Sequence, residues 1–161
     1  MSRTNLLDRE VARAMSALSA AAKRGLGDPA LAELVVIRAS QLNHCAFCLD
    51  MHLAIAREHG VSARQLDLLS AWEEAGDVYG ERERAALALT EAVTLLTGDG
   101  SRGVGSTAGS GAGFVPDAVY ERAARHFDAP RLAHLVALII AINSWNRVMV
   151  ARRVPPGGYT P

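Results

Sequence analysis

Residues 29–59 read PALAELVVIRASQLNHCAFCLDMHLAIAREH, and this stretch decides the fold. Asp28-Pro29 opens it with a helix-start signal: a carboxylate able to cap, then proline at a position whose N–H has no intrahelical partner anyway. PALAELVVIRASQL is apolar on most sides, which suits a helix enclosed by others rather than one lying on a surface. Asn43 is expected to cap the next helix, HCAFCLDMHLAIAREH, which Gly60 closes. A helix buried all round needs several others to cover it.

The flanks supply them. Upstream, Leu7, Val11, Met15, Leu18 and Ala22 recur at spacings of three and four, predicting the buried face of a helix that ends at Gly25. Downstream, Ser62 and Gln65 form a capping box, with Val61 and Leu66 placed as a hydrophobic staple, for a helix ARQLDLLSAWEEA that stops at Gly76. Further helices are expected from about Glu81 to Leu96, from Pro116-Asp117 to near Phe127, and from Asp128 to about Ala151. No segment alternates with the period of two that marks a half-buried strand. The expectation is an all-α, multi-helix bundle of about seven helices in one domain, residues 1–161. Within it, GDGSRGVGSTAGSGAG (98–113) reads as a flexible surface loop, since it lacks GxxxxGK[ST] and follows no strand. The tail VPPGGYTP (154–161) reads as irregular, ordered only if a neighbouring subunit holds it.

Composition narrows the function classes. A chain of 161 residues that is 50% hydrophobic and 21% charged can bury a real core and is too apolar for disorder. Seventeen basic side chains balance seventeen acidic ones, leaving no field to collect nucleic acid or anionic lipid. Asp8 and Glu10 interrupt the region where a signal peptide needs an apolar run, and Leu135–Ile142 is much shorter than the roughly 20 residues that span a bilayer. The expectation is a soluble cytoplasmic protein with neither nucleic acid nor membrane as partner. Its two cysteines are then normally reduced and form no secreted disulfide scaffold.

Those cysteines carry the chemistry. Cys45 and Cys48 lie three residues apart and His52 follows four later, so on a helix they form a row, continuing through Ile55 to His59, on the side facing the interior. Near a helix start, unpaired N–H groups and the helix dipole stabilise an anion, which lowers a thiol pKa and raises its reactivity. A disulfide within regular helix is poorly placed, because Cβ atoms at i and i+3 sit about 5–6 Å apart and a disulfide wants about 3.8 Å. Closing it requires local tightening of the first turn. So small a loop constrains the unfolded chain by only about 2 kcal/mol, which suits a redox couple better than a staple. Glu33 lies among Ala30, Val36 and Ile37, so it either reaches out to water or is held inside, where burial raises its pKa and lets it exchange protons near neutrality; an ion pair with Arg38 or a distant arginine is an equal alternative.

Glu33, Cys45, Cys48 and His52 together spell E-x11-C-x2-C-x3-H, a pattern that resembles the alkylhydroperoxidase D-like proteins of the carboxymuconolactone decarboxylase superfamily. GERERAALALTEAVTLL, VPDAVYERAARHF and AINSWNRVMVA resemble that family's subsequent helices, in order, so the likeness runs from about Leu31 to Ala151. The resemblance implies a homo-oligomeric helical fold and reduction of hydroperoxides by a dithiol, with no metal, haem or flavin required. By position Cys48 is the attacking thiolate, Glu33 and His52 relay its proton, and Cys45 closes the disulfide. An external dithiol, a lipoyl carrier protein or a thioredoxin-like protein, then reduces it. The family's peroxidase archetype has a histidine directly before the second cysteine; here that position is Phe47, and His44 is the imidazole nearest to replace it.

Two other classes share some of these features. Cys45, Cys48, His52 and Glu33 offer four ligand types to zinc, although structural zinc usually draws on two separated clusters and three of these share one helix. A decarboxylase or non-catalytic oligomeric member of the superfamily is the other, and its branch generally lacks the paired cysteines. Trp72 and Trp145 read as core or interface anchors, and Asn143, Asn146 and Arg147 as ties from the last helix to its neighbours. His126 and His134 have no partner at metal-ligand spacing.

Overall fold

The structure, a computed structural model, describes residues 3, 6–96 and 114–157. The glycine-rich run 98–113 and the end of the tail, 158–161, lie outside the described residues. Among them are seven α-helices and no strand: α1 (Arg9–Leu26), α2 (Pro29–Leu42), α3 (Ala46–Glu58), α4 (Ala63–Leu68), α5 (Glu81–Thr94), α6 (Asp117–His126) and α7 (Ala129–Arg152). The expected all-α bundle is what forms.

The caps follow the sequence signals closely. Asp8, Asp28 and Asp128 each accept backbone N–H groups at the starts of α1, α2 and α7, and Ser62 with Gln65 makes the capping box of α4. Val61 and Leu66 are buried in one cluster beside it. The end of α1 differs from expectation. The helix runs through Gly25 to Leu26 and stops at Gly27, whose φ of +70° is the left-handed conformation that closes helices. Gly25 serves a packing role instead, because the His134 ring of α7 lies against its Cα.

The buried face of α1 is also turned by about one position from the predicted stripe. Ala22 and Leu26 are buried and Ala12, Met15 and Ser19 partly so, whereas Val11 and Leu18 are exposed. Small side chains let α1 lie close along α7, where Ser19 Oγ accepts the Trp145 indole N–H at 3.1 Å. The helix expected over residues 63–75 departs more. It is α-helical only to Leu68 and continues as a 3₁₀ segment, Leu69–Glu74, kinked at Ala71 (φ −123°, ψ 33°). Arg84 of α5 caps the carbonyls this unwinding releases, donating to Trp72 O, Glu73 O and Gly76 O. Trp72 is thereby turned inward, and its indole N–H meets Glu91 at 2.7 Å.

α2 is the axis, as its all-round apolar sequence requires. Leu31, Val35 and Val36 face a cluster with α7 and α5, while Leu34 and Ile37 face a second with Leu66, Leu69, Trp72 and Leu87. α7 is 24 residues long and by length and composition apolar enough to cross a membrane, longer than the short apolar segment singled out in the sequence. Its Leu135, Leu138, Ile139 and Ile142 are spent inside the bundle. Beyond them lies a knot of amides. Asn43 Nδ2 donates to Asn143 Oδ1 and Asn146 Oδ1, both at 3.0 Å, and Asn146 Nδ2 donates to Ser40 Oγ at 3.0 Å. Asn143 also donates to Thr94 Oγ1. This network ties the C-terminal ends of α2 and α5 to α7.

Two substitutions test these packing statements. Gly25→Ala brings a Cβ to 2.2 Å from the His134 ring; the helix-propensity gain of about 1 kcal/mol is outweighed by an overpacking cost of about 1–3 kcal/mol. A lowered melting temperature is expected, and an unchanged or raised one refutes the close approach. Asn146→Ala strips partners from Asn43 and Ser40 in the interior and is expected to cost about 2 kcal/mol by urea unfolding. Arg147→Ala, whose guanidinium is exposed, serves as the comparison and is expected to cost less than about 0.5 kcal/mol.

Candidate functional site

The connection between α2 and α3 is three residues long, and its geometry sets the site. Asn43 does not cap α3 as expected. It caps the C-terminus of α2, and its side chain is committed to the amide knot. His44 turns the chain with φ +54°, a conformation costly for a side chain with a Cβ. Cys45 is then the N-cap of α3, its N–H donating to Ser40 O and its Sγ accepting the Cys48 N–H at 3.4 Å.

Because Cys45 stands just outside the helix (φ −89°, ψ 89°), it is free of the spacing that separates i and i+3 side chains within one. Its sulfur is bonded to that of Cys48, and the Cα–Cα distance of 5.3 Å lies in the usual range for disulfides. The tightened first turn expected from the sequence is not needed. Both cysteines are 1% exposed. The interior row then passes through His52 to Ala56 rather than through Ile55 to His59, which is exposed at the C-terminal end.

Glu33 projects from α2 into this region and is 1% exposed. Its Oε2 lies 2.8 Å from His52 Nδ1 and its Oε1 2.5 Å from Lys23 Nζ. Arg38, the cation nearest in sequence, pairs with Glu91 instead. Burial pushes the Glu33 carboxyl up, but the hydrogen bond and charge of His52, together with those of Lys23, outweigh it, and the carboxyl ends below its ordinary value. This is the ion-pair alternative rather than a carboxyl raised toward neutrality, with the Lys23 ammonium and the His52 N–H as partners instead of Arg38. The carboxylate is an acceptor only, so His52 Nδ1 carries a proton toward it and Nε2 is the ring's remaining proton site.

A cavity of about 480 Å³ opens beside the pair. α3 lines it with Phe47, Cys48, Met51 and His52; α7 with Leu138, Ile142, Trp145 and Met149; α1 with Ser16, Ser19, Ala20 and Lys23; and α2 with Val36. Cys45 is not among the lining residues, so the two sulfurs are inequivalent. His44 is exposed and does not line the cavity either, so it does not stand in for the missing histidine; Phe47 supplies an apolar wall there. Trp145 is both an anchor of α1 on α7 and part of this wall. Lys23 escaped the sequence reading because it lies on the first helix, ten residues before Glu33. The one signal for it was a lysine close to the predicted buried stripe.

The four residues weighed as zinc ligands do not assemble as a set. Among the described residues no three His, Cys, Asp or Glu side chains are grouped to hold a metal ion. The carboxylate and imidazole turn toward each other, and the sulfurs are bonded together.

Since the Glu33 carboxyl is held below its ordinary 4.5, its contribution to stability is full above that pH and is lost as pH falls through the lowered value. The stability advantage of the wild type over Glu33→Gln, followed by urea unfolding from pH 7 downward, is expected to shrink below about pH 4.5. A constant difference refutes an ionised, paired Glu33.

Comparison with known proteins agrees with this architecture. Residues 9–92 match the carboxymuconolactone decarboxylase family. The Bacillus subtilis protein YdfG, uncharacterised, is 40% identical over 119 residues, covering 74% of this chain and 71% of its own. The uncharacterised YnjA of Escherichia coli is 30% identical over 136 residues, covering 84% and 66%. In three dimensions the chain resembles the crystal structure of ATU0492 from Agrobacterium tumefaciens, a protein of unknown function described as a candidate antioxidant defence protein AhpD. The TM-score is 0.82 at 31% identity, over 99% of this chain and 100% of that one. The chain belongs to the carboxymuconolactone decarboxylase family, among its alkylhydroperoxidase D-like members.

Proposed function

We propose that the protein is a thiol-dependent peroxidase that reduces organic hydroperoxides with the Cys45–Cys48 couple. The observation that carries this reading is that Cys48 and His52 share the wall of one largely apolar cavity while Cys45, bonded to Cys48, lies outside it. A hydroperoxide entering the cavity meets Cys48 first.

In the reduced protein the Cys48 thiol gives its proton to His52, whose Nδ1–H is anchored on Glu33. The Cys48 thiolate attacks the outer oxygen of RO–OH; the S–O bond forms as the O–O bond breaks. The alkoxide takes the proton from His52 and leaves as alcohol, with Cys48 as sulfenic acid. Cys45 attacks that sulfur and water leaves, giving the disulfide. A dithiol from outside, a lipoyl carrier protein or a thioredoxin-like protein, restores both thiols and is itself oxidised. With Cys45 at the N-cap, its bond to Cys48 leaves α3 helical. The resemblance of the antioxidant-type neighbour supports the same chemistry. Self-association belongs to this reading too, and the exposed Val11 and Leu18 of α1 are apolar side chains available for it.

Titration of free thiols tests the proposal. The reduced wild type is expected to lose both thiols to one equivalent of cumene hydroperoxide and to recover them with dihydrolipoamide. Cys45→Ser is expected to stop at a Cys48 sulfenic acid that dimedone captures, and Cys48→Ser to lose no thiol. Retention of both thiols in the wild type, or an equally reactive Cys48→Ser protein, refutes the assignment.

A further inference from the structure

We propose that Lys23 is a positioning residue for this site: its ammonium occupies Oε1 of Glu33, so that Oε2 alone is left to hold the His52 ring in one orientation and one tautomer. The inference rests on reading Cys48 as the attacking thiolate and Glu33 with His52 as its relay. It adds a member from α1, which the E-x11-C-x2-C-x3-H pattern does not include.

A carboxylate rotates broadly about its last torsion, so either oxygen of an isolated Glu33 can meet the imidazole. Here two helices divide the oxygens, with Lys23 of α1 on one at 2.5 Å and His52 of α3 on the other at 2.8 Å. Lysine has donors only, so its contact with Oε1 is satisfied by a carboxylate and not by a carboxylic O–H directed at it. Were Glu33 to take up a proton, its O–H could donate to Nδ1. The ring proton would then move to Nε2 and the base would be blocked. The ammonium prevents this by favouring the charged carboxylate, in agreement with the lowered Glu33 value. Lys23 is also placed to act there specifically: it is one-third exposed, lines the cavity and pairs with a carboxylate that is 1% exposed.

Among the described residues, the charged and titratable groups facing the cavity are Lys23 from α1 and Cys48 and His52 from α3, with Glu33 from α2 bonded to Lys23 and His52; α7 presents Leu138, Ile142, Trp145 and Met149, none of which titrates. The clamp is therefore testable through Cys48 itself. In a Cys45→Ser background Cys48 is the sole thiol of the chain, and its rate of alkylation by iodoacetamide is measured against pH. Lys23→Gln, which keeps a donor without the charge, and Lys23→Met, which keeps the stem, are each expected to slow alkylation at pH 7 about tenfold by moving the profile about one pH unit alkaline. Lys23→Arg is expected to stay within about twofold of the parent. Combined with Glu33→Gln, the Lys23 substitutions are expected to add less than about twofold, because the clamp then has no carboxylate to hold.

Lowered melting temperatures with an unmoved alkylation profile would reduce Lys23 to a structural ion pair and overturn the proposal. An undiminished effect in the Glu33→Gln background would overturn it too, showing that Lys23 acts on Cys48 through space. If Glu33→Gln displaces the profile and the Lys23 variants do not, the relay stands and Lys23 has no part in it. If neither displaces it, the relay itself is wrong.

Discussion

A carboxylate taken out of water must find a counter-charge and hydrogen-bond donors or give up its charge, and Glu33 finds the Lys23 ammonium and the His52 ring N–H. The need to satisfy it constrains three helices at once. α2 must present residue 33 to the interior, α1 must bring Lys23 across its path, and α3 must turn His52 toward it. The rotation of α1 away from the stripe suggested by its larger apolar residues makes sense in this light. The face with Ala12, Ser19 and Ala22 lies closer to α7 and α2 than one carrying Val11 and Leu18 could, and it carries Lys23 to the carboxylate.

The sulfur pair depends on a second constraint, the sharp corner between α2 and α3. With three residues to reverse direction, the chain places His44 in a left-handed conformation and leaves Cys45 outside the helix. A residue in that position points its side chain at the backbone of the first turn, so the Cys45 sulfur caps the helix and reaches Cys48 at once. The corner is fastened from behind by the Asn43, Asn143 and Asn146 amides. Polar groups of this kind are stable in an interior only when mutually satisfied, which links the placement of the thiols to the far end of the chain.

The cavity sets the two cysteines apart. Its walls come from α1, α3 and α7, with one residue of α2, and they are largely apolar, so charged groups exert strong influence on whatever reacts there. Cys48 stands in that wall and Cys45, bonded to it, does not, the asymmetry on which the proposed couple rests. Phe47 in place of a histidine makes the wall more apolar and leaves His52 as the imidazole beside Cys48.

The helical architecture was determined by the sequence alone, because caps and apolar periodicity are local. Asp28-Pro29, the Ser62–Gln65 box and Asp128 begin helices through bonds to N–H groups two or three residues away, and those bonds form wherever the helix packs. The candidate site residues were legible for the same reason, since Cys45, Cys48 and His52 sit at fixed offsets on one short segment. Tertiary structure decided what depends on distant residues. Asn43 left the cap of α3 for the amides of α7, Trp72 turned toward Glu91 as its helix unwound, and Lys23 with His52 reversed the direction of the Glu33 shift. Local sequence states which groups a helix offers; it takes the packing of several helices to select their partners, and electrostatics in an interior is set by those partners.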